Sequence, residues 1–206
     1  MRFIVNLLPL IQKATSLRRI VTVQSAGFEG KLFDDDYLCR KAPISKARGH
    51  SSSVMTLAIE ALAKRAPNVS FIHNYPGAIN TNLIRGDEGF VLQLVKYYFK
   101  VRFAFKFMPF KECGERHAFL STSSKYPPLE DAATGSGVPL SASVVIARGV
   151  DGKVGTGAYA VSHEGESVNE AIEKLLAQYR QEGQVDKLWK HVEAEFLRIT
   201  GSIASQ

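Results

Sequence analysis

The apolar positions at the start of the chain repeat with a helical period. Phe3, Ile4, Leu7, Leu8 and Ile11 recur three and four residues apart, so residues 2–16 are expected to form an amphipathic helix with Pro9 as its weak point. The pattern then changes. Residues 18–25 are apolar and β-branched and close on Ala26-Gly27, which is the mark of a buried strand. Residues 28–50 read as a loop, punctuated by Gly30, Pro43 and Gly49 and carrying the acidic run Asp34-Asp35-Asp36. A helical period returns from Ser51 to Ala66. Ser51, Ser52 or Ser53 can cap it, Leu57, Ile59, Leu62 and Ala63 follow, and Pro67 stops it. Residues 69–73 read as a second buried strand, ended by Pro76-Gly77. Strand, helix and strand with short links imply a parallel sheet, so the expected class is α/β, with three or so strands and helices on both faces.

The remainder is more varied. Residues 90–110 are aromatic and basic, residues 112–121 read as a helix containing Gly114, and residues 126–143 as a loop rich in Pro, Gly, Ser and Ala. Residues 144–147 and 157–162 read as a β-hairpin around Asp151-Gly152. Residues 167–199 read as a long amphipathic helix or helix pair, broken at Gly183. Glu170 and Lys174 form an i,i+4 pair on a solvated face. No internal repeat or domain boundary emerges, so residues 1–206 are expected to form one domain.

Composition narrows the class of protein. The 206 residues are 45% hydrophobic and 22% charged, which excludes disorder and suits a single core. A net charge of +6 permits an anionic ligand or surface without requiring one. Cys39 and Cys113 stand far apart and in no metal spacing, so no disulfide framework and no metal site are expected, and a reducing, cytoplasmic compartment is the default. The start of the chain admits two readings. A short basic start, an apolar stretch and small residues resemble a secretory signal, whereas the spacing of the apolar residues favours the amphipathic helix.

The candidate chemistry sits at two strand ends. Ser25 closes the first strand and Pro76-Gly77-Ala78-Ile79-Asn80-Thr81 follows the second. Open parallel sheets bind ligands beside the carboxyl ends of their strands. A hydroxyl on one end and a turn of free backbone on the other can flank a flat ring. Two ordinary strand-to-loop turns are the plain alternative.

The order of these segments resembles the short-chain dehydrogenase/reductase family. Residues 19–27, Arg-Ile-Val-Thr-Val-Gln-Ser-Ala-Gly, look like the family's fifth strand, whose final serine orients the substrate carbonyl. Pro76-Gly77 and Thr81 look like the segment after the sixth strand, which covers the nicotinamide. Residues 115–123, Glu-Arg-His-Ala-Phe-Leu-Ser-Thr-Ser, and Gly157-Ala158-Tyr159 resemble a fungal branch associated with specialised metabolism. The resemblance covers most of residues 2–165 and implies a partial Rossmann-like, doubly wound sheet, matching the C-terminal portion of the family fold without its N-terminal strands. It implies NAD or NADP as cofactor, with Pro76, Gly77 and Thr81 on the nicotinamide side, and Ser25 as a catalytic residue. The family's Gly-rich phosphate-binding turn has no counterpart here, because no glycine precedes Gly27.

The family's Tyr-x-x-x-Lys has one literal match, Tyr37-Leu38-Cys39-Arg40-Lys41. The tyrosine of that motif moves the proton and the lysine lowers its pKa and holds the ribose. Counting back from Pro76, however, the slot falls near residues 43–50, where neither a Tyr nor a Tyr–Lys pair stands, and Pro43 opposes one helix running from Tyr37 to Ala66. His50 is a substitute acid/base candidate or a solvated residue at the helix start. His73, on a buried strand, reads as a satisfied core histidine.

Residues 90–110 carry Phe90, Tyr97, Tyr98, Phe99, Phe103, Phe105, Phe107 and Phe110, interleaved with Lys96, Lys100, Arg102 and Lys106. The family places its substrate lid here. A lid over a hydrophobic ligand or a dimer contact is expected, with peripheral contact to an anionic membrane as the alternative and nucleic acid disfavoured. The interspersed charges exclude a spanning helix. The exposed apolar strand edge near Ile20–Val23 adds an expectation of homo-oligomers. Three functions remain open: an oxidoreductase of a small hydrophobic carbonyl or alcohol; a redox-silent isomerase, cyclase or dehydratase using the same pocket; and a non-catalytic relative that acts by binding.

Overall fold

Neighbouring residues of the central strand are buried in different cores. In a computed structural model of the chain, the residues described are 1–79, 89, 90, 93, 94, 97, 98, 101, 107–130 and 137–203. Among them, helix α1 (Arg2–Gln12) leads to strand β1 (Arg19–Val23), helix α2 (Ile44–Arg65) and strand β2 (Ser70–Asn74). Helix α3 (Phe110–Thr122), strand β3 (Ala158–Val161) and helices α4 (Glu170–Gln181) and α5 (Gln184–Thr200) follow. The three strands are parallel, in the order β1-β2-β3. Phe71 joins the larger core with Leu57 and Leu62 of α2, while Ile72 joins a second core with Leu120 of α3, Tyr126 and Tyr159. Every residue of β2 is buried, as a parallel strand covered on both faces must be. The expected α/β class, with helices on both faces, is the architecture observed.

Several boundaries differ from the sequence reading. The inward stripe of α1 is Met1, Ile4, Val5, Leu8 and Ile11, which pack on the larger core, whereas Phe3 is 84% exposed. Phe3 and Leu7, expected on the inner face, point outward. Helix α2 starts at Ile44, directly after Pro43 at its N-cap. Ser51, Ser52 and Ser53 therefore lie inside the helix and cap nothing. A proline at a helix entry costs no hydrogen bond, because the first N–H groups of a helix have no partner within it.

The expected hairpin of residues 144–162 does not form. Residues 158–161 pair in parallel with β2, and only the isolated antiparallel bridge Arg148↔Val154 remains of it. The helix break at Gly183 is observed, with φ 71° there, and Asn169 caps α4 by accepting from the Ile172 N–H at 3.1 Å. Most of residues 90–110 fall outside the described residues; of those described, Phe90 and Tyr97 are exposed. No helix among the described residues is long and apolar enough to cross a membrane.

One half-buried cation joins β1 to the end of α3. Arg19 of β1 donates to the carbonyls of Leu120 (3.0 Å), Ser123 (2.7 Å) and Tyr126 (2.7 Å), where α3 ends. Those carbonyls lie beyond the last intrahelical donors, so a guanidinium there satisfies them and complements the helix dipole. Burial brings its pKa down to about 10, countered by the nearby Tyr159 and Tyr126 hydroxyls.

Candidate functional site at the strand ends

Strand β1 runs out at Val23, and the chain turns over residues 25–30 against the N-terminal half of α2. The turn is held by hydrogen bonds at nearly every residue. The Ser25 N–H donates to Nε2 of His73 at 3.2 Å. The Ser25 carbonyl accepts from the Ser52 hydroxyl at 2.6 Å and from the Phe28 N–H at 3.2 Å. The Gly27 N–H donates to Glu29 Oε2 at 2.8 Å, and Gly30 exchanges two hydrogen bonds with the Ser53 hydroxyl. Ser25 is buried, and its own hydroxyl makes no hydrogen bond among the described residues. Backbone fixed at both ends and a hydroxyl left uncommitted are what a positioning serine needs.

Behind this turn lies a wholly buried polar chain. Thr56 Oγ1 lies 2.9 Å from His73 Nδ1 and donates to Glu29 Oε1 at 2.7 Å. The side chains of His73 and Glu29 have no exposed surface. Burial brings the His73 pKa down to about 4. Burial also raises that of Glu29, against hydrogen bonds from Thr56 and Gly27 that favour the carboxylate. His73 is the satisfied core histidine expected of it, although its partners come from the turn that holds Ser25.

The second strand end meets the first through aromatic rings. Tyr75 follows β2, and its ring lies edge-on to Phe28 at 4.9 Å and to His163 at 6.3 Å. Arg48 of α2 stacks its guanidinium on Phe28 at 3.4 Å and reaches Tyr75 at 5.3 Å. Next come Pro76 and Gly77, half-buried, with Gly77 at φ 86°. A Cβ on Gly77 would stand 3.2 Å from both His163 Cβ and Met108 Cε, so the bare Cα lets this segment settle on the loop after β3. His163 also lines a cleft of about 240 Å³ with Arg116, Phe119 and Leu120 of α3 and with Gly165. His163 joins the cleft to the end of β2 through its ring contact with Tyr75. Arg116 fixes its wall by donating to the His163 carbonyl at 2.6 Å.

The other candidates of the sequence lie elsewhere. Tyr37 donates its hydroxyl to Gln184 Oε1 at 2.8 Å, at the start of α5, and its ring packs 5.1 Å from His191. Burial, then the Asp34 charge, raises its pKa. Residues 37–41 are not helical: Cys39 takes φ 56°, and the Asp36 carboxylate accepts from the N–H groups of Arg40, Lys41 and Ala42. Tyr37 and the exposed Lys41 therefore share no helix face. His50 is fully buried, not solvated at a helix start. Its Nδ1 accepts from the Phe33 N–H at 3.2 Å and its Nε2 donates to the Asp36 carbonyl at 3.0 Å. Both ring nitrogens thus serve the 33–36 backbone. Thr81 lies outside the described residues. The α2 side chains that reach the Ser25 turn are Arg48, Ser52, Ser53 and Thr56. None of these four was among the candidates read from the sequence, because a polar helix face at the edge of a core has no pattern of its own.

Open parallel α/β sheets bind their ligands beside the carboxyl ends of the strands, and that is where this chain places Ser25 and the Pro76-Gly77 turn. The chain is related to fungal proteins named as oxidoreductases. Oxidoreductase AN1596 of Emericella nidulans is 37% identical over 199 residues, covering 94% of this chain and 57% of the relative. Oxidoreductase andH of Emericella variicolor is 31% identical over 204 residues, covering 98% of this chain and 59% of the relative. Short-chain dehydrogenase/reductase SAT2 of Stachybotrys chartarum is 27% identical over 203 residues, covering 92% of this chain and 53% of the relative. The chain spans little more than half the length of these relatives. No family model and no solved structure matches the sequence.

Proposed function

We propose that residues 1–206 form the substrate side of a short-chain dehydrogenase/reductase-type active site that acts, with NAD or NADP, on a small hydrophobic carbonyl or alcohol. The observation that carries this reading is Ser25, with its backbone held at N–H and C=O and its hydroxyl free of partners among the described residues. A donor fixed in this way stabilises charge developing on a carbonyl oxygen without paying for reorganisation at the moment of reaction. The relatives named as oxidoreductases support the reaction class, and one named an NmrA-like family domain-containing oxidoreductase, from an Aspergillus species, supports a nicotinamide cofactor.

The residues at the end of β2 fit the nicotinamide end of such a cofactor. Asn74 is buried with its amide N–H groups on the Val161 and Ser162 carbonyls, at 3.3 and 3.0 Å, while its Oδ1 has no partner among the described residues. A buried acceptor with no donor carries a cost of about 1–3 kcal/mol, and a carboxamide N–H is the kind of group that would relieve it. Pro76 and Gly77 follow after Tyr75 and would lie along the ring. The cofactor supplies the hydride when bound. Ser25 orients and polarises the substrate oxygen, and the cleft wall of Phe119 and Leu120 receives the apolar body of the substrate.

One observation favours a second reading. No tyrosine or lysine is among the α2 side chains at the Ser25 turn, and a reductase needs a proton donor at the new alkoxide. A serine that polarises a carbonyl without hydride transfer serves an isomerase, cyclase or dehydratase. The test incubates hydrophobic ketones with NADPH or NADH and follows nicotinamide absorbance, and follows α-proton exchange of the same ketones in D2O without cofactor. Nicotinamide oxidation supports the first reading, and exchange alone supports the second. If Ser25→Ala leaves the activity found unchanged, both are overturned. Complete silence in both assays favours the remaining, non-catalytic reading.

A further inference from the structure

The Ser25 turn rests on one directional set of hydrogen bonds, and its direction follows from a single group that has no choice. A backbone N–H can only donate, so His73 Nε2, which faces the Ser25 N–H at 3.2 Å, must be the bare nitrogen. The proton of a neutral ring then sits on Nδ1. Nδ1 donates to Thr56 Oγ1 at 2.9 Å, which obliges the Thr56 hydroxyl to donate onward to Glu29 Oε1 at 2.7 Å. Glu29 closes the chain as an acceptor at both oxygens, with the Gly27 N–H on Oε2 at 2.8 Å. Glu29 and Gly27 belong to the same turn as Ser25. The chain therefore leaves the turn at Ser25, passes through β2 and α2, and returns to the turn at Glu29.

We infer that Glu29, Thr56 and His73 are positioning residues for Ser25, holding one tautomer of His73 so that the serine backbone, and with it the hydroxyl, keeps one orientation. The inference rests on the reading that Ser25 donates to a substrate oxygen. Burying a carboxylate and an imidazole with no exposed side-chain surface costs stability unless each polar atom is matched. Here every such atom is matched, and the matches converge on the turn. Core packing alone would be met more cheaply by apolar side chains at residues 56 and 73. Thr56 is the link to cut. Without its hydroxyl, Nδ1–H loses its acceptor and the Nδ1–H tautomer is held by the Ser25 N–H alone, so its lead narrows over an Nε2–H tautomer, which would oppose that N–H with a second donor.

The experiment uses the 206-residue chain, with Thr56→Val and Thr56→Ser as the pair and Glu29→Gln as a milder second cut. Imidazole nitrogen shifts report the His73 tautomer, and the Ser25 amide signal reports its hydrogen bond. Carbonyl-13C acetophenone is the probe for the serine hydroxyl, since a donated hydrogen bond moves the carbonyl signal downfield. The wild type is expected to hold the Nδ1–H tautomer and to shift the bound probe. Thr56→Val is expected to mix the tautomers and to lose at least half of the probe shift, with Thr56→Ser restoring both. Glu29→Gln is expected to act in the same direction, and it carries the test if Thr56→Val does not fold. An unchanged tautomer, or a full probe shift in the folded valine or glutamine variant, overturns the inference. Ser25→Ala separates the two claims. If it leaves the probe shift intact, or if the wild type shows none, the reading of Ser25 fails and the inference fails with it. If Ser25→Ala abolishes the shift while the Thr56 and Glu29 variants keep it, only the positioning role is overturned.

Discussion

The N–H of Ser25 and the bare ring nitrogen of His73 meet at 3.2 Å across the carboxyl ends of two adjacent parallel strands. That contact requires His73 to be neutral, and burial, which lowers its pKa to about 4, keeps it so.

A dependence of stability on pH follows. In the unfolded chain His73 takes up its proton near pH 6.5; in the folded chain it does so only near 4. Between those values the unfolded state binds more protons, so stability falls as pH drops through that window, by at most about 1.4 kcal/mol per pH unit for one group. Glu29 works in the opposite sense. Its raised pKa makes the folded state protonate first, which offsets part of the loss at the acid end. Imidazole shifts should show His73 uncharged at pH 5, and urea melts of His73→Gln should show a shallower decline than the wild type between pH 6.5 and 5. A His73 that titrates near 6.5 would sink this prediction.

Arg19 gives a prediction about stability. Its guanidinium satisfies three carbonyls where α3 ends, at 2.7–3.0 Å, and a leucine there would leave them buried without donors. Charge-assisted hydrogen bonds contribute more than neutral ones, and orphaned buried acceptors cost about 1–3 kcal/mol each before relaxation. Arg19→Leu is expected to destabilise the fold by about 2–4 kcal/mol in urea denaturation. A loss below about 0.5 kcal/mol, the scale of an ordinary surface change, would show that the half-buried cation holds nothing.

Gly77 and Gly27 form an internal control. Both take φ 86°, but a Cβ on Gly27 meets nothing within 4 Å, whereas on Gly77 it meets His163 and Met108 at 3.2 Å. Gly27→Ala should cost only the left-handed backbone strain, about 1 kcal/mol. Gly77→Ala should cost that and a displacement of the 76–79 segment, for a total of about 2–3 kcal/mol. Equal melting shifts for the two variants would mean that the close approach at Gly77 carries no weight.

What the sequence disclosed depended on whether a signal was local. β1, β2 and the body of α2 are runs of apolar residues with a clear period, and each was legible. The first two turns of α2 were not, because residues 44–50 are polar and follow Pro43, which reads as a break although it stands at a helix entry. The parallel pairing of residues 158–161 was hidden for another reason. A short buried strand looks the same whichever neighbour it joins, and Asp151-Gly152 supplied a false hairpin turn. The position of Ser25 near a strand end was legible, although β1 stops two residues before it. Glu29, Thr56 and His73 as a group were not, since they come together only when β2 and α2 close on the turn. His50 looked like chemistry because histidine titrates near neutrality, yet its two nitrogens do the work of backbone partners for residues 33 and 36.

The contrast between Ser25 and Tyr37 is the most direct test of where the chemistry lies. Ser25 sits two residues beyond β1, in a turn held by hydrogen bonds, with its hydroxyl uncommitted among the described residues. Tyr37 has spent its hydroxyl on Gln184 at 2.8 Å, on the side of the 28–43 loop that faces α5. Its pKa is raised by burial and by Asp34, the wrong direction for proton transfer near neutral pH. Lys41 cannot lower it from the same helix face, since the backbone turns through Cys39 at φ 56°. Loss of one positioning donor at a reacting oxygen typically costs on the order of 100-fold in rate. Ser25→Ala is therefore expected to lower kcat about 100-fold in whichever assay reveals activity. Tyr37→Phe removes a hydrogen bond to α5 and should lower stability by about 1 kcal/mol while changing kcat less than about tenfold. Measuring kcat and urea stability for both variants separates the two roles. If Tyr37→Phe abolishes turnover and Ser25→Ala spares it, the literal Tyr-x-x-x-Lys is the working motif, and the loop must rearrange when substrate binds.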